Sequence, residues 1–99
     1  ITTKPYDAVA KSDCVMTDKW ISMNDKVNKS QKKKILKPYQ VNKIMMRKAN
    51  PDAIFMHCLP VGRGEEVTDD IIDGKQSVVW RQALNRVHAQ KSIIRWCLG

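Results

Sequence analysis

Residues 53–66, AIFMHCLPVGRGEE, place the tightest limit on what this chain can fold into. Ala53 to Met56 form an apolar run that suits a strand buried on both faces. Pro60 has no N–H for a sheet ladder and biases Leu59 toward extended geometry, so the strand must stop near His57-Cys58. Gly62 and Gly64 make the next loop permissive. Glu65 and Glu66 stand before a helix expected over Val67–Ile72, whose positive end suits acids. A thiol and an imidazole are thus left side by side at the carboxyl end of a buried strand, where open α/β sheets place their ligands. Taken alone the His-Cys pair is a weak signal, since a buried Cys often acts as a small hydrophobe.

A strand needs neighbours, and the rest of the chain offers two. Cys14–Thr17 (CVMT) and Ser77–Trp80 (SVVW) are short apolar runs that read as strands. Helices are expected at Pro5–Lys11, with Pro in the first turn, and at Lys29–Lys37, closed before Pro38. Val41–Ala49 carries Val41, Ile44, Met45 and Lys48 at helical spacing. Thr68–Asp73 lies between a Thr cap and Gly74. The longest helix is expected from Gln82 to about Cys97, with Ala83, Val87, Ile94 and Cys97 on one stripe. Asp18–Asn28 reads as a loop and Asn50–Asp52 as a turn. Strands alternating with helices imply a parallel sheet with right-handed crossovers. The connections, about 35 and 18 residues, exceed the roughly dozen that a parallel crossover needs. All strand ends then point the same way. The Asp18 carboxylate, Ser22 hydroxyl, His57 imidazole, Cys58 thiol and Arg86 guanidinium can converge on one rim.

Charge is lopsided. Residues 1–50 carry twelve Lys/Arg against four Asp/Glu, while residues 51–99 carry six of each. The excess centres on Lys26–Lys37. No aromatic residue interleaves that run, so bases would have no stacking platform. A solvated helix face is the preferred reading, with no nucleic-acid partner. No apolar run is long enough for a transmembrane helix, and no signal peptide or membrane association is expected. Three cysteines, at 14, 58 and 97, are odd in number and widely spaced. That argues against a disulfide framework and for a reducing, cytoplasmic compartment. Adjacent His57 and Cys58, with no second pair at normal spacing, make a poor zinc site, and no metal is expected.

TDKWISM at Thr17–Met23, MHCLP at Met56–Pro60 followed by RGEEVTDDIIDG to Gly74, and NRVHAQK at Asn85–Lys91 together resemble the ornithine carbamoyltransferases. PYQVN at Pro38–Asn42 fits the same pattern. The related aspartate enzymes carry Pro-Leu-Pro after the His, and the putrescine enzymes differ at the Ser-Met loop. The resemblance implies an α/β fold: a partial three-layer parallel sheet with flanking helices. This would be a Rossmann-like ornithine-binding domain without its first βαβ part, filling residues 1–99. It also implies transfer of the carbamoyl group of carbamoyl phosphate to the δ-amino group of L-ornithine, giving citrulline and phosphate, with no organic cofactor. By the same resemblance Asp18 pairs with an ornithine amino group, and Ser22 and Met23 hold the α-amino and carboxylate end. Cys58 lies near the δ-amino group, the Leu59 carbonyl contacts the carbamoyl nitrogen, Arg86 polarises the carbamoyl carbonyl, and His57 shapes the pocket. Enzymes of this family are typically homotrimers.

The sequence departs from the family in places. Its carbamoyl-phosphate motifs, Ser-x-Arg-Thr and His-Pro-x-Gln, do not occur in these residues, nor does the ornithine-binding Asn of its first strand–helix unit. Asn24 stands where Gly usually follows Ser-Met, and Gly62 replaces a common His. Arg81, Gln82 and Leu84 replace residues that are typically acidic. Two classes of function follow: the amino-acid-binding half of a transferase, or a non-catalytic α/β binding module. Three further expectations can be checked. Cys58, close to Arg63 and Arg86, should be the most reactive thiol. Trp20, Trp80, Trp96, Met45 and Met46 should add apolar area without partners. By itself the chain should be catalytically silent and marginally stable.

Overall fold

Two four-residue strands lie at the centre of the computed structural model, which describes residues 1–22 and 28–99. Strand β1 (Cys14–Thr17) and strand β2 (Ile54–His57) pair in parallel, with Cys14 opposite Ile54 and Thr17 opposite His57. Helix α1 (Pro5–Val9) precedes β1. Helix α2 (Lys29–Leu36), a 3-10 turn (Lys37–Tyr39) and helix α3 (Lys43–Met46) form the crossover to β2. Helices α4 (Asp69–Ile72) and α5 (Val79–Leu98) follow. The fold is α/β, with a small parallel sheet and flanking helices.

The apolar run at 53–56 behaves as its composition requires. Ala53, Phe55 and His57 are buried, and Ile54 and Met56 are half-buried, so β2 is covered on both sides. Strand β1 buries Val15 but exposes Cys14 and Met16, so one of its faces is open. Around Phe55 pack Val15, Met45, Val67, Ile72 and Val79. Two asparagines start helices: the Asn28 side chain accepts from the Ser30 and Gln31 N–H groups, and Asn42 accepts from Ile44 and Met45. Such a cap is worth about 1 kcal/mol. Helix α2 buries none of its residues, in keeping with a solvated lysine face.

Four expectations need correction. Ser77–Trp80 is not a strand. Only Ser77 bridges Phe55, through Phe55 N–H to Gln76 O (2.8 Å) and Val78 N–H to Phe55 O (3.0 Å). The chain then turns into α5 at Val79. A short β-branched run reads alike as a strand or as a buried helix start, and here Val79 enters the core as the first helical residue. The helix expected over Val41–Ala49 contracts to four residues, because Val41 pairs instead with the 66–68 segment. Val41 N–H donates to Glu66 O (2.9 Å) and Thr68 N–H to Val41 O (3.1 Å). The stripe on α5 is real but open: Ala83, Val87, Ile94 and Cys97 are exposed. Amphipathic spacing says which face seeks burial, not whether a partner lies against it. Trp80 and Trp96 are exposed as expected, whereas Trp20, Met45 and Met46 are buried.

Candidate functional site

Register builds the site. Thr17 and His57 are opposite one another at the carboxyl ends of β1 and β2, so the next residues, Asp18 and Cys58, emerge as neighbours. Parallel strands lie about 4.8 Å apart, within reach of two short side chains. The Cys58 thiol donates to Asp18 Oδ1 at 2.9 Å, and Lys19 N–H donates to the same oxygen at 2.6 Å. These two donors hold the Asp18 carboxyl below its usual range, the thiol being the stronger cause. The same bond, with burial second, pushes the Cys58 thiol up. The pair is therefore a carboxylate beside a protonated thiol, both open to solvent.

Beneath that pair the backbone is tied down. His57 N–H donates to Gln82 Oε1 (3.0 Å), which links the end of β2 to the first turns of α5. The His57 imidazole points inward, and its Nδ1 accepts the Leu59 N–H at 2.9 Å. Leu59 has φ 55°, in the left-handed region, and the Leu59–Pro60 bond is cis. A non-glycine residue in that region carries about 1–2 kcal/mol of strain, which surrounding bonds must hold.

The loop after Pro60 is closed from two sides. Glu66 is fully buried and accepts the Gly62 N–H. A Cβ at Gly62 would stand 2.7 Å from Glu66 Oε2, so a side chain there would displace the carboxyl. Gln40, also buried, donates through Nε2 to Gly64 O (2.8 Å) and Glu65 O (2.7 Å). Arg63 turns away from Cys58, with Nη1 on Asp69 (2.8 Å) and on Asp73 (2.6 Å) and Nη2 on Asp73 (3.0 Å). The cation expected to activate Cys58 is thus spent elsewhere, and an acid faces the thiol instead. The Asp18 carboxylate thus works against the thiolate that the expected reactivity of Cys58 needs, and Cys14 and Cys97 are exposed as well.

Asp18, Cys58, His57 and Leu59 therefore form one cluster. Ser22 is exposed just after buried Trp20 and Ile21. Met23 lies outside the described residues. Arg86 is exposed on α5, one turn beyond Gln82. Sequence reasoning missed the supporting roles of Gln82, Gln40 and Glu66. Glu66 reads as a helix-start acid, and nothing in its spacing reveals that it turns inward. No group of His, Cys, Asp and Glu among the described residues is arranged to hold a metal ion. No helix among them is long and apolar enough to cross a membrane.

Residues 1–97 match the model of the aspartate/ornithine carbamoyltransferase Asp/Orn-binding domain. The chain belongs to that family. It is 60% identical over 99 residues to an ornithine carbamoyltransferase of Rhodopseudomonas palustris, covering all of this chain and 32% of that protein. It is 61% identical over 92 residues to one of Agrobacterium fabrum, covering 93% and 30%. The solved ornithine carbamoyltransferase of Pyrococcus furiosus superposes with a TM-score of 0.85 at 52% identity, over 92% of this chain and 29% of that one. That of Campylobacter jejuni also gives 0.85, at 34% identity, over 93% and 30%. The chain thus spans less than a third of the length of these carbamoyltransferases. The resemblance drawn from Thr17–Met23, Met56–Gly74 and Asn85–Lys91 holds over nearly its whole length.

Proposed function

We propose that this chain is the amino-acid-binding half of an ornithine carbamoyltransferase, part of the C-terminal ornithine-binding domain. In this reading it supplies the nucleophile's side of the reaction of carbamoyl phosphate with L-ornithine to give citrulline and phosphate. The observation that carries the reading is the 2.9 Å contact between Cys58 and Asp18 at the carboxyl ends of two parallel strands. An alkylammonium with a pKa of about 10 must lose a proton before it can attack a carbonyl. Asp18, ionised at neutral pH, draws that ammonium to the rim and is the group placed to assist its deprotonation. Cys58, kept as a thiol by Asp18, serves as a hydrogen-bond partner to the amino group rather than as its base. The Leu59 carbonyl accepts from the carbamoyl NH2, and Arg86 meets the negative charge that grows on the carbamoyl oxygen during attack. Ser22 and Met23 hold the α-amino and carboxylate end, and His57 shapes the pocket from below. The carbamoyl-phosphate site is contributed by residues other than these 99, since the phosphate motifs do not occur among them. The assembly is a homotrimer in the cytoplasm, with no cofactor and no nucleic acid.

The test is an NMR titration of the isotopically labelled chain with L-ornithine, L-aspartate and putrescine. L-Ornithine is expected to move the Asp18 and Cys58 amide resonances, and Asp18→Asn to abolish the response. The chain alone is expected to form no citrulline above background. Equal responses to L-ornithine and L-aspartate, or none at Asp18 and Cys58, would overturn the reading.

A further inference from the structure

Among the described residues Glu66 is the one acidic side chain buried in the core, and no step of the proposed reaction uses it. Its Oε1 accepts the Gly62 N–H and stands 3.3 Å from His57 Nε2, with both side chains fully buried. Neither His57 Nε2 nor Glu66 Oε2 has a hydrogen-bond partner, and the polar group facing Nε2 is the Glu66 carboxyl, at 3.3 Å. The other imidazole nitrogen is committed, because Nδ1 accepts the Leu59 N–H at 2.9 Å and so carries no proton in that arrangement. A neutral imidazole must then carry its proton on Nε2, the nitrogen that faces the carboxyl.

We propose that Glu66 is a positioning residue for the Cys58–Leu59 corner. By offering Oε1 to Nε2 it selects the Nε2–H tautomer of His57. That tautomer leaves Nδ1 free to hold the Leu59 N–H, and the held N–H keeps Leu59 in its left-handed conformation. The conformation sets where the Leu59 carbonyl points and where Cys58 presents its thiol to Asp18. The other tautomer would aim an N–H at the Leu59 N–H, two donors face to face, and the corner would open. Glu66 also fixes the far end of the loop through Gly62, so one buried side chain ties residue 57 to residue 62. The importance of this corner for substrate rests on the reading of the Cys58 loop as the ornithine site.

The test is long-range proton–nitrogen NMR of the imidazoles in the ligand-free chain, which contains only two histidines, His57 and the exposed His88. The expected result is His57 as the Nε2–H tautomer in the unsubstituted chain and in Glu66→Gln, whose amide oxygen still accepts. In Glu66→Leu the tautomer signature is expected to be lost. Exchange of the Leu59 amide is expected to rise about tenfold, the equivalent of one hydrogen bond. An Nδ1–H signature in the unsubstituted chain would overturn the proposal. So would an unchanged tautomer and unchanged Leu59 protection in Glu66→Leu. Because these readouts need no substrate, failure of the ornithine titration leaves them standing, and their failure leaves the titration standing.

Discussion

Gln40→Ala should destabilise the chain by about 2 kcal/mol. The two bonds from Gln40 Nε2, at 2.8 and 2.7 Å, are the side-chain hold on the Gly64 and Glu65 carbonyls. A net intramolecular hydrogen bond is worth about 1 kcal/mol, which gives about 2 for the pair. The figure stops there because Gly64 is exposed and Glu65 half-exposed, so water can reach the abandoned carbonyls. A chain of this length has only about 5–15 kcal/mol of net stability, so the change is a large share of the whole. With a urea slope of about 1 kcal/mol/M, the midpoint should fall by roughly 2 M. Gln40→Glu sharpens the test. Its carboxylate would face two carbonyl oxygens in a buried place, which raises its folded-state pKa above the unfolded value of about 4.3. Lys37, bonded at 3.0 Å to Gln40 Oε1, offsets part of that cost. A raised folded-state pKa means that stability is highest below the unfolded value and is lost as pH rises through the folded one. The Glu variant should therefore lose ground to the Ala variant as pH rises from acid to neutral. Midpoints of Gln40→Ala within about 0.5 M of the unsubstituted chain, roughly half a hydrogen bond, would refute the reasoning.

Three further outcomes are expected. Cys58 should alkylate more slowly than Cys14 and Cys97 at mildly alkaline pH, and Asp18→Asn should speed Cys58 alone, because removing the carboxylate frees the thiolate; peptide mapping that finds Cys58 labelled first would contradict this. Phe55→Ala, at a position with no exposure, should cost about 3–5 kcal/mol, while Trp96→Ala, 83% exposed, should cost less than about 0.5; thermal melts of equal depression would show the core misplaced. The Arg63 guanidinium holds Asp73 below the ordinary 3.8, so their pairing contributes above that value and is lost as pH falls through the lower folded-state one; Arg63→Met should flatten the acid limb of urea midpoint against pH, and an unchanged limb would sink the assignment.

The sequence by itself determined the placement of the chemistry. An apolar run broken before Pro60 puts His57 and Cys58 at a strand end, and alternation of strands and helices makes that strand parallel to Cys14–Thr17. From those two facts Asp18 and Cys58 must meet, and they do, at 2.9 Å. The motifs at 17–23, 56–74 and 85–91 carried the family. Only the tertiary structure decided what lies under and around that pair. Whether SVVW became a strand or a helix start depended on the core around Phe55, which Val79 joins from the start of α5. Whether Arg63 reached the thiol depended on Asp69 and Asp73 competing for it nearby. Glu66 reads locally as a surface acid at a helix start, yet the pairing of Val41 with the 66–68 backbone draws it inward beside His57. Short-range patterns record what each residue prefers locally. Which preference prevails depends on partners in other turns and elements, from six to more than twenty residues away, and no periodicity in the chain encodes those.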